Sequence, residues 1–216
     1  KVWSVESIVS GFQYMKELRE KGEQLFYRIY DEKEAQKDPS LRQRVLFHFP
    51  VEGKRPFVVI CAGGGYESVC SFVEAFPVAE AFNKKGYHAF VVNYRTGEEA
   101  HFPNPMDDLA NAVSYILTHA GEFHVEPDDY AVAGFSAGGH LAASFGTEHL
   151  GYRKYDLPRP GILILSYPVI TMGKYAHKGS RLRLLGKDHA ADQELRDCYS
   201  IEKQVTENYP PAYVWQ

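Results

Sequence analysis

Nothing in this sequence supports a disulfide framework: its cysteines, Cys61, Cys70 and Cys198, are odd in number. None falls in a C-x-x-C pair, so a structural zinc site is not suggested either. No apolar run approaches the ~20 residues of a membrane span. The opening KVWSVESIVS lacks the apolar core of a signal peptide. A cytoplasmic location is therefore the default, with a trimmed upstream segment left open because the chain begins with Lys1 rather than methionine. An excess of positive charge is missing too: 24 Lys and Arg against 28 Asp and Glu give a formal charge of -4. Without a basic stripe to hold a phosphate backbone, nucleic acid is not an expected partner. Repeats and low-complexity tracts are absent.

What is present is a chain of 216 residues, 44% of them hydrophobic, enough for one substantial core and most simply one domain over 1–216. Two alternating segments, QLFYRIY and RVLFHFP, read as half-buried antiparallel strands forming an N-terminal hairpin. The charged stretch DEKEAQKDPS between them reads as a loop. Four later runs, FVVI (57–60), AFVV (89–92), AVA (131–133) and ILIL (162–165), are continuously apolar, as strands covered on both faces are. Between them lie helical patterns. In MDDLANAVSYILTHA, Met106, Leu109, Val113, Ile116 and Ala120 fall on one face. A second helix spans roughly 77–85, with Pro77 in its first turn and Gly86 just past its end. The alternation predicts an α/β fold, a mostly parallel sheet with helices on both faces, whose ligands bind beyond the carboxyl ends of the strands.

Two glycine-rich turns lie at such ends. CAGGGYES follows the first parallel strand, where glycines let backbone approach a ligand. It is no dinucleotide fingerprint, because the sixth position counted from Gly63 is Ser68, and no P-loop lysine follows. After the third strand comes Gly134-Phe135-Ser136-Ala137-Gly138, which fits the G-x-S-x-G nucleophile elbow, a strained strand-to-helix turn that lifts a serine hydroxyl above the sheet. Glycine two residues either side relieves the crowding. The Ala137 N–H, at the N-terminus of the following helix, is then an oxyanion donor.

CAGGGYESV, KKGYHAFVVNYR, PMDDLANAVSYI, DYAVAGFSAGGHLAAS and YPPAYVW, in that order, resemble the α/β-hydrolase superfamily. Within it the likeness is to the esterase and lipase-like group of small carbohydrate and acetyl esterases, over about residues 55–216. That group usually has proline or histidine where this chain has Ala62. The resemblance implies an α/β-hydrolase fold in which Ser136 is the nucleophile. Gly63, Gly64 and Ala137 supply the oxyanion N–H groups, and Gly65 spaces the turn. Tyr66 and Glu74 line the pocket mouth, or serve as ordinary loop and helix-start residues. The implied activity is hydrolysis of short-chain acyl esters such as acetylated sugars, on a small-molecule ester substrate and with no metal or organic cofactor. Homo-oligomerisation is left open. A catalytically silent binding or sensing protein, a serine peptidase and a thioesterase share the fold and are the competing readings.

The family order is serine, then acid, then histidine, and neither partner has a matching position before Gln216. The expectation is a domain lacking its C-terminal strand and helix, with acid and base beyond Gln216. Of the histidines present, His140 follows the elbow but points along its own helix, and packing or solvent contact is its expected role. His101 sits on a loop where it lines the pocket, and His48 on a strand should face solvent. His119, His124, His149, His177 and His189 show no pattern. Asp107 and Asp108 read as first-turn acids favoured by the helix dipole.

Overall fold

The computed structural model describes residues 4–216. In chain order the elements are α1 (Val5–Glu20), β1 (Phe26–Arg28), α2 (Glu32–Lys37), β2 (Val45–Phe49), β3 (Phe57–Cys61), α3 (Phe76–Asn83), β4 (His88–Asn93), α4 (Asn104–Thr118), β5 (Ala131–Phe135), α5 (Ser136–Phe145), β6 (Ile162–Ser166), α6 (Lys178–Leu185), α7 (Gln193–Cys198) and β7 (Ala212–Trp215). The four apolar runs become β3 to β6, and the sheet runs in the order β1-β2-β4-β3-β5-β6-β7. β1 pairs antiparallel with β2, and β2 with β4. The other neighbours are parallel.

Strand alternation sorts the core into two faces. Val59, Cys61, Val92 and Val132 point to the side covered by α4 and α5, where Met106, Leu109, Val113 and Ile116 pack as the spacing predicts. Val58, Ile60, Val91 and Ala133 point to the other, covered by α1 and α3 through Leu18, Phe76 and Ala79. Burying each such side chain is worth about 1.5–3 kcal/mol. α1 was not anticipated. Ser4 caps it by accepting the Ser7 N–H at 3.1 Å, and it approaches α3 so closely that a Cβ on Gly11 would lie 2.9 Å from the Pro77 nitrogen.

Three expectations are corrected. The stretch 31–40 is not a plain loop. Asp31 and Glu34 form a reciprocal capping box that starts α2, and a 3-10 turn, Pro39–Gln43, follows. His48 does not face solvent; it is buried, stacked on Phe90 with centroids 4.3 Å apart, and its Nε2 lies 3.2 Å from His88 Nδ1. Both faces of β2 are covered here, which alternation alone does not reveal. Asp108 is not a dipole-facing surface acid either. It is fully buried, paired with Arg95 at 3.0 Å and accepting the Tyr30 hydroxyl at 2.6 Å. Asp107 stays nearer the surface, where it accepts from Tyr155. Among the described residues β7 pairs along one side only, with β6, and all four of its residues are exposed. Among the described residues no helix is long and apolar enough to cross a membrane.

Candidate active site

The carboxyl ends of β3, β5 and β6 meet around Ser136. At the end of β5 the backbone turns into α5 with Ser136 at φ +52°, the left-handed region a non-glycine residue occupies only at a cost of roughly 1–3 kcal/mol. The flanking glycines are required by space. A Cβ on Gly134 would overlap the Gly138 carbonyl, and one on Gly138 would overlap the carbonyls of Cys61 and Ala62 in β3 and the loop after it. The elbow is therefore clamped against the neighbouring strand. The Ser136 carbonyl accepts the Val169 N–H at 2.9 Å from the segment after β6. Ser136 is half-buried, and Ala137 behind it is buried in the first turn of α5, where its N–H has no helical acceptor.

The second turn follows β3. Tyr94 donates its hydroxyl to the Ala62 carbonyl at 2.5 Å, fixing the start of the glycine loop. Gly64 (φ +131°) and Gly65 (φ +66°) need the freedom of glycine. A Cβ on Gly63 would lie 2.8 Å from the Ser136 Cβ, so loop and elbow are in direct contact. The expected donor set changes here. The Gly63 N–H is given to the Glu74 carboxylate, and the Gly63 carbonyl accepts the Cys70 N–H at 2.9 Å. With its donor turned inward, Gly63 does not present an N–H to a ligand. Gly64 N–H and Ala137 N–H have no partner among the described residues.

Tyr66 and Glu74 are also repositioned. Tyr66 is fully buried at φ +60°, and its hydroxyl meets His140 Nδ1 at 2.9 Å, so it is not at the pocket mouth. His140 Nε2 faces the Tyr199 carbonyl at 2.8 Å, which makes Nε2 the N–H donor and Nδ1 the acceptor from Tyr66. Burial pushes the His140 imidazole down to about 4. Buried, with both nitrogens engaged, it packs as expected and does not serve as base. Glu74 lies on a π-helical turn, Ser71–Ala75, just before α3. It is buried, and burial raises its carboxyl above the usual range despite hydrogen bonds from Gly63 and Tyr167.

A cleft of about 800 Å³ opens beside the glycine loop, lined by Gly64, Gly65, Glu67, His101, His177 and Arg183 among others. Ser136 itself is outside the lining, next to it through Gly63. Sequence reasoning missed three residues here. His177 caps α6 and accepts the Ser180 N–H through Nδ1 at 3.3 Å. Arg183 pairs with Glu67 across the cleft. Tyr167, after β6, donates to Glu74 at 3.2 Å. A histidine three residues before a serine at a helix start is too weak a pattern to single out. No local pattern couples residues 67 and 183, or 74 and 167. Among the described residues no group of three or more His, Cys, Asp or Glu is placed to hold a metal ion, and no histidine hydrogen-bonds Ser136.

A seven-stranded, mostly parallel sheet carrying a left-handed serine between a final strand residue and a helix is an α/β-hydrolase fold. The BD-FAE family model matches residues 47–154, half of the chain, and the chain belongs to that family. Endo-1,4-beta-xylanase B of Butyrivibrio fibrisolvens is 36% identical over 173 residues, 76% of this chain and 27% of that protein. Acetylxylan esterase of Xylanibacter ruminicola is 33% identical over 181 residues, 82% of this chain and 36% of that one. The chain thus spans about a third or less of these curated relatives. The crystal structure of an acetyl ester-xyloside bifunctional hydrolase from Caldicellulosiruptor lactoaceticus superposes with a TM-score of 0.76 at 28% identity, covering 88% of this chain and 73% of that one.

Proposed function

We propose that the protein is a serine ester hydrolase acting on short acyl esters, acetyl groups on carbohydrate first among them. The observation that carries this reading is the strained Ser136 elbow, clamped by two glycines and set against a glycine loop with an unpartnered N–H. In this reading Ser136 Oγ attacks the acyl carbon as a base takes its proton. The carbonyl oxygen becomes an oxyanion held by Ala137 N–H and Gly64 N–H. The C–O bond to the alcohol breaks, the alcohol leaves with the proton, and water then releases the carboxylic acid and restores the serine. The substrate class draws on the names of the acetylxylan esterase and the acetyl ester-xyloside hydrolase. The charged and polar side chains in the cleft beside Gly64 and Gly65, among them Glu67, His101, His177 and Arg183, suit a hydroxylated alcohol.

Ser136→Ala in the full-length chain tests this. Hydrolysis of p-nitrophenyl acetate should fall at least ~1,000-fold, as loss of a nucleophile does in other serine hydrolases, with thermal stability unchanged. A fluorophosphonate probe should add to Ser136 and nowhere else. Retained turnover in the alanine variant removes the assignment.

A further inference from the structure

Glu74 is a carboxylate buried against the proposed nucleophile without a cation to balance it. Only 6% of it is exposed, and among the described residues it has no salt bridge. Burying such a group is costly unless its oxygens are fully used. Here they are used on two different loops: one accepts the Gly63 N–H and the other the Tyr167 hydroxyl at 3.2 Å. The same carboxylate would lie 2.8 Å from a Cβ on Gly63, a point also 2.8 Å from the Ser136 Cβ. Glu74 therefore ties together the turns that follow β3 and β6, beside the Ser136 elbow.

The consequence for the glycine loop comes from peptide geometry. With Glu74 on the Gly63 N–H and Cys70 on the Gly63 carbonyl, both peptide planes flanking Gly63 are held. In a planar trans peptide the C=O and the next N–H lie on opposite edges, so turning the Gly63 carbonyl toward Cys70 turns the Gly64 N–H away from it. We propose that Glu74 is a positioning residue for the oxyanion hole: it draws the Gly63 N–H inward and so fixes the Ala62–Gly63 peptide, while Cys70 on the Gly63 carbonyl fixes the Gly63–Gly64 peptide, and together they leave Gly64 N–H and Ala137 N–H as the donors at Ser136. This rests on the hydrolase reading above. Glu74 makes no hydrogen bond to Ser136, and its role is geometric rather than that of a base.

The test compares wild type, Glu74→Met and Glu74→Gln in the full-length chain. Methionine fills a similar volume but cannot accept strongly from Gly63, whereas the glutamine amide oxygen can. Glu74→Met should lower kcat for p-nitrophenyl acetate by ~100-fold with KM within about threefold, as loss of one oxyanion donor does. Glu74→Gln should recover to within ~10-fold of wild type, because the acceptor rather than the charge holds the loop. By NMR the Gly63 amide proton should lie far downfield in wild type and move upfield in Glu74→Met. A folded Glu74→Met that keeps kcat within about threefold, or an unmoved Gly63 signal, overturns the proposal. So does a folded Glu74→Gln that loses ~100-fold, which also keeps the test decisive if the methionine variant does not fold. Wild-type protein that neither turns over ester nor labels at Ser136 overturns the hydrolase reading and the proposal with it. An active wild type with an indifferent Glu74→Met overturns the positioning role alone.

Discussion

The two glycine turns that meet at Ser136 use glycine for partly different reasons. After β5, Gly134 and Gly138 stand where any side chain would strike backbone: the Gly138 carbonyl in one case, the Cys61 and Ala62 carbonyls in the other. Neither is among the glycines at positive φ, so the requirement there is room. After β3, Gly64 and Gly65 do lie at positive φ; a Cβ on Gly64 would also overlap the Ser68 carbonyl oxygen, whereas the space around Gly65 is open to 3.7 Å. The elbow is held by close backbone packing within its own turn and against β3. The loop is held by side chains brought from elsewhere, Glu74 on Gly63 and Tyr94 on Ala62. Gly134 and Gly138 leave no room for a side chain, whereas the hydrogen bonds that Glu74 and Tyr94 give the loop can be removed one at a time.

The largest effect that would test this contrast is on the elbow. Gly138→Val places a branched side chain into two backbone carbonyls that cannot move without displacing β3, and should cost roughly 4–5 kcal/mol or more. Little soluble, folded protein is expected by far-ultraviolet circular dichroism. Wild-type thermal stability in this variant would show that the clamp is not there.

A middling effect concerns the joint between the turns, where Tyr66 of the loop bonds His140 of α5. The folded-state value of His140 is lowered from 6.5 to about 4, and burial lowers His48 and His88 as well. Between pH 6.5 and 4 the unfolded chain binds protons that the folded one refuses, so stability rises with pH through this window and is lost as pH falls. From pH 7 to 5, His140 alone should remove about 2 kcal/mol, read as a lower urea midpoint. Burial raises the carboxyls of Glu74 and Asp108, which act in the opposite sense. The shallower pH slope of His140→Gln therefore isolates the histidine. An identical slope in that variant would deny His140 its neutral, buried state.

The smallest effect is expected at Gly65. Asparagine adopts the left-handed region more readily than other side chains, so Gly65→Asn should cost no more than ~1 kcal/mol. A shift of several degrees or more in melting temperature would mean that Gly65, too, is clamped by space.

Much of the sheet was legible because period and apolarity are local. The runs at 57–60, 89–92, 131–133 and 162–165 are strands on both sides of which helices pack, and the face of α4 is the one its spacing gives. The elbow was legible for the same reason, since G-x-S-x-G between a strand and a helix states its own geometry. α2 was missed because its capping box lies inside a charged stretch where composition suggests a loop. His48 and Asp108 were misplaced because their burial depends on Phe90, His88, Arg95 and Tyr30, which come from other strands.

The sequence by itself determined the strand order of events along the chain, the position of the serine and the need for glycine around it, all of which follow from backbone sterics over a few residues. Only the tertiary structure decided which N–H groups face outward. Gly63 and Gly64 are chemically identical, and one is turned inward because a carboxylate eleven residues on is folded beneath it. The fate of Tyr66 and His140 was settled in the same way, by contacts across 74 residues of chain. Hydrogen-bond direction depends on what lies within about 3 Å, and for a loop between packed layers that neighbour is set by the fold rather than by adjacent residues.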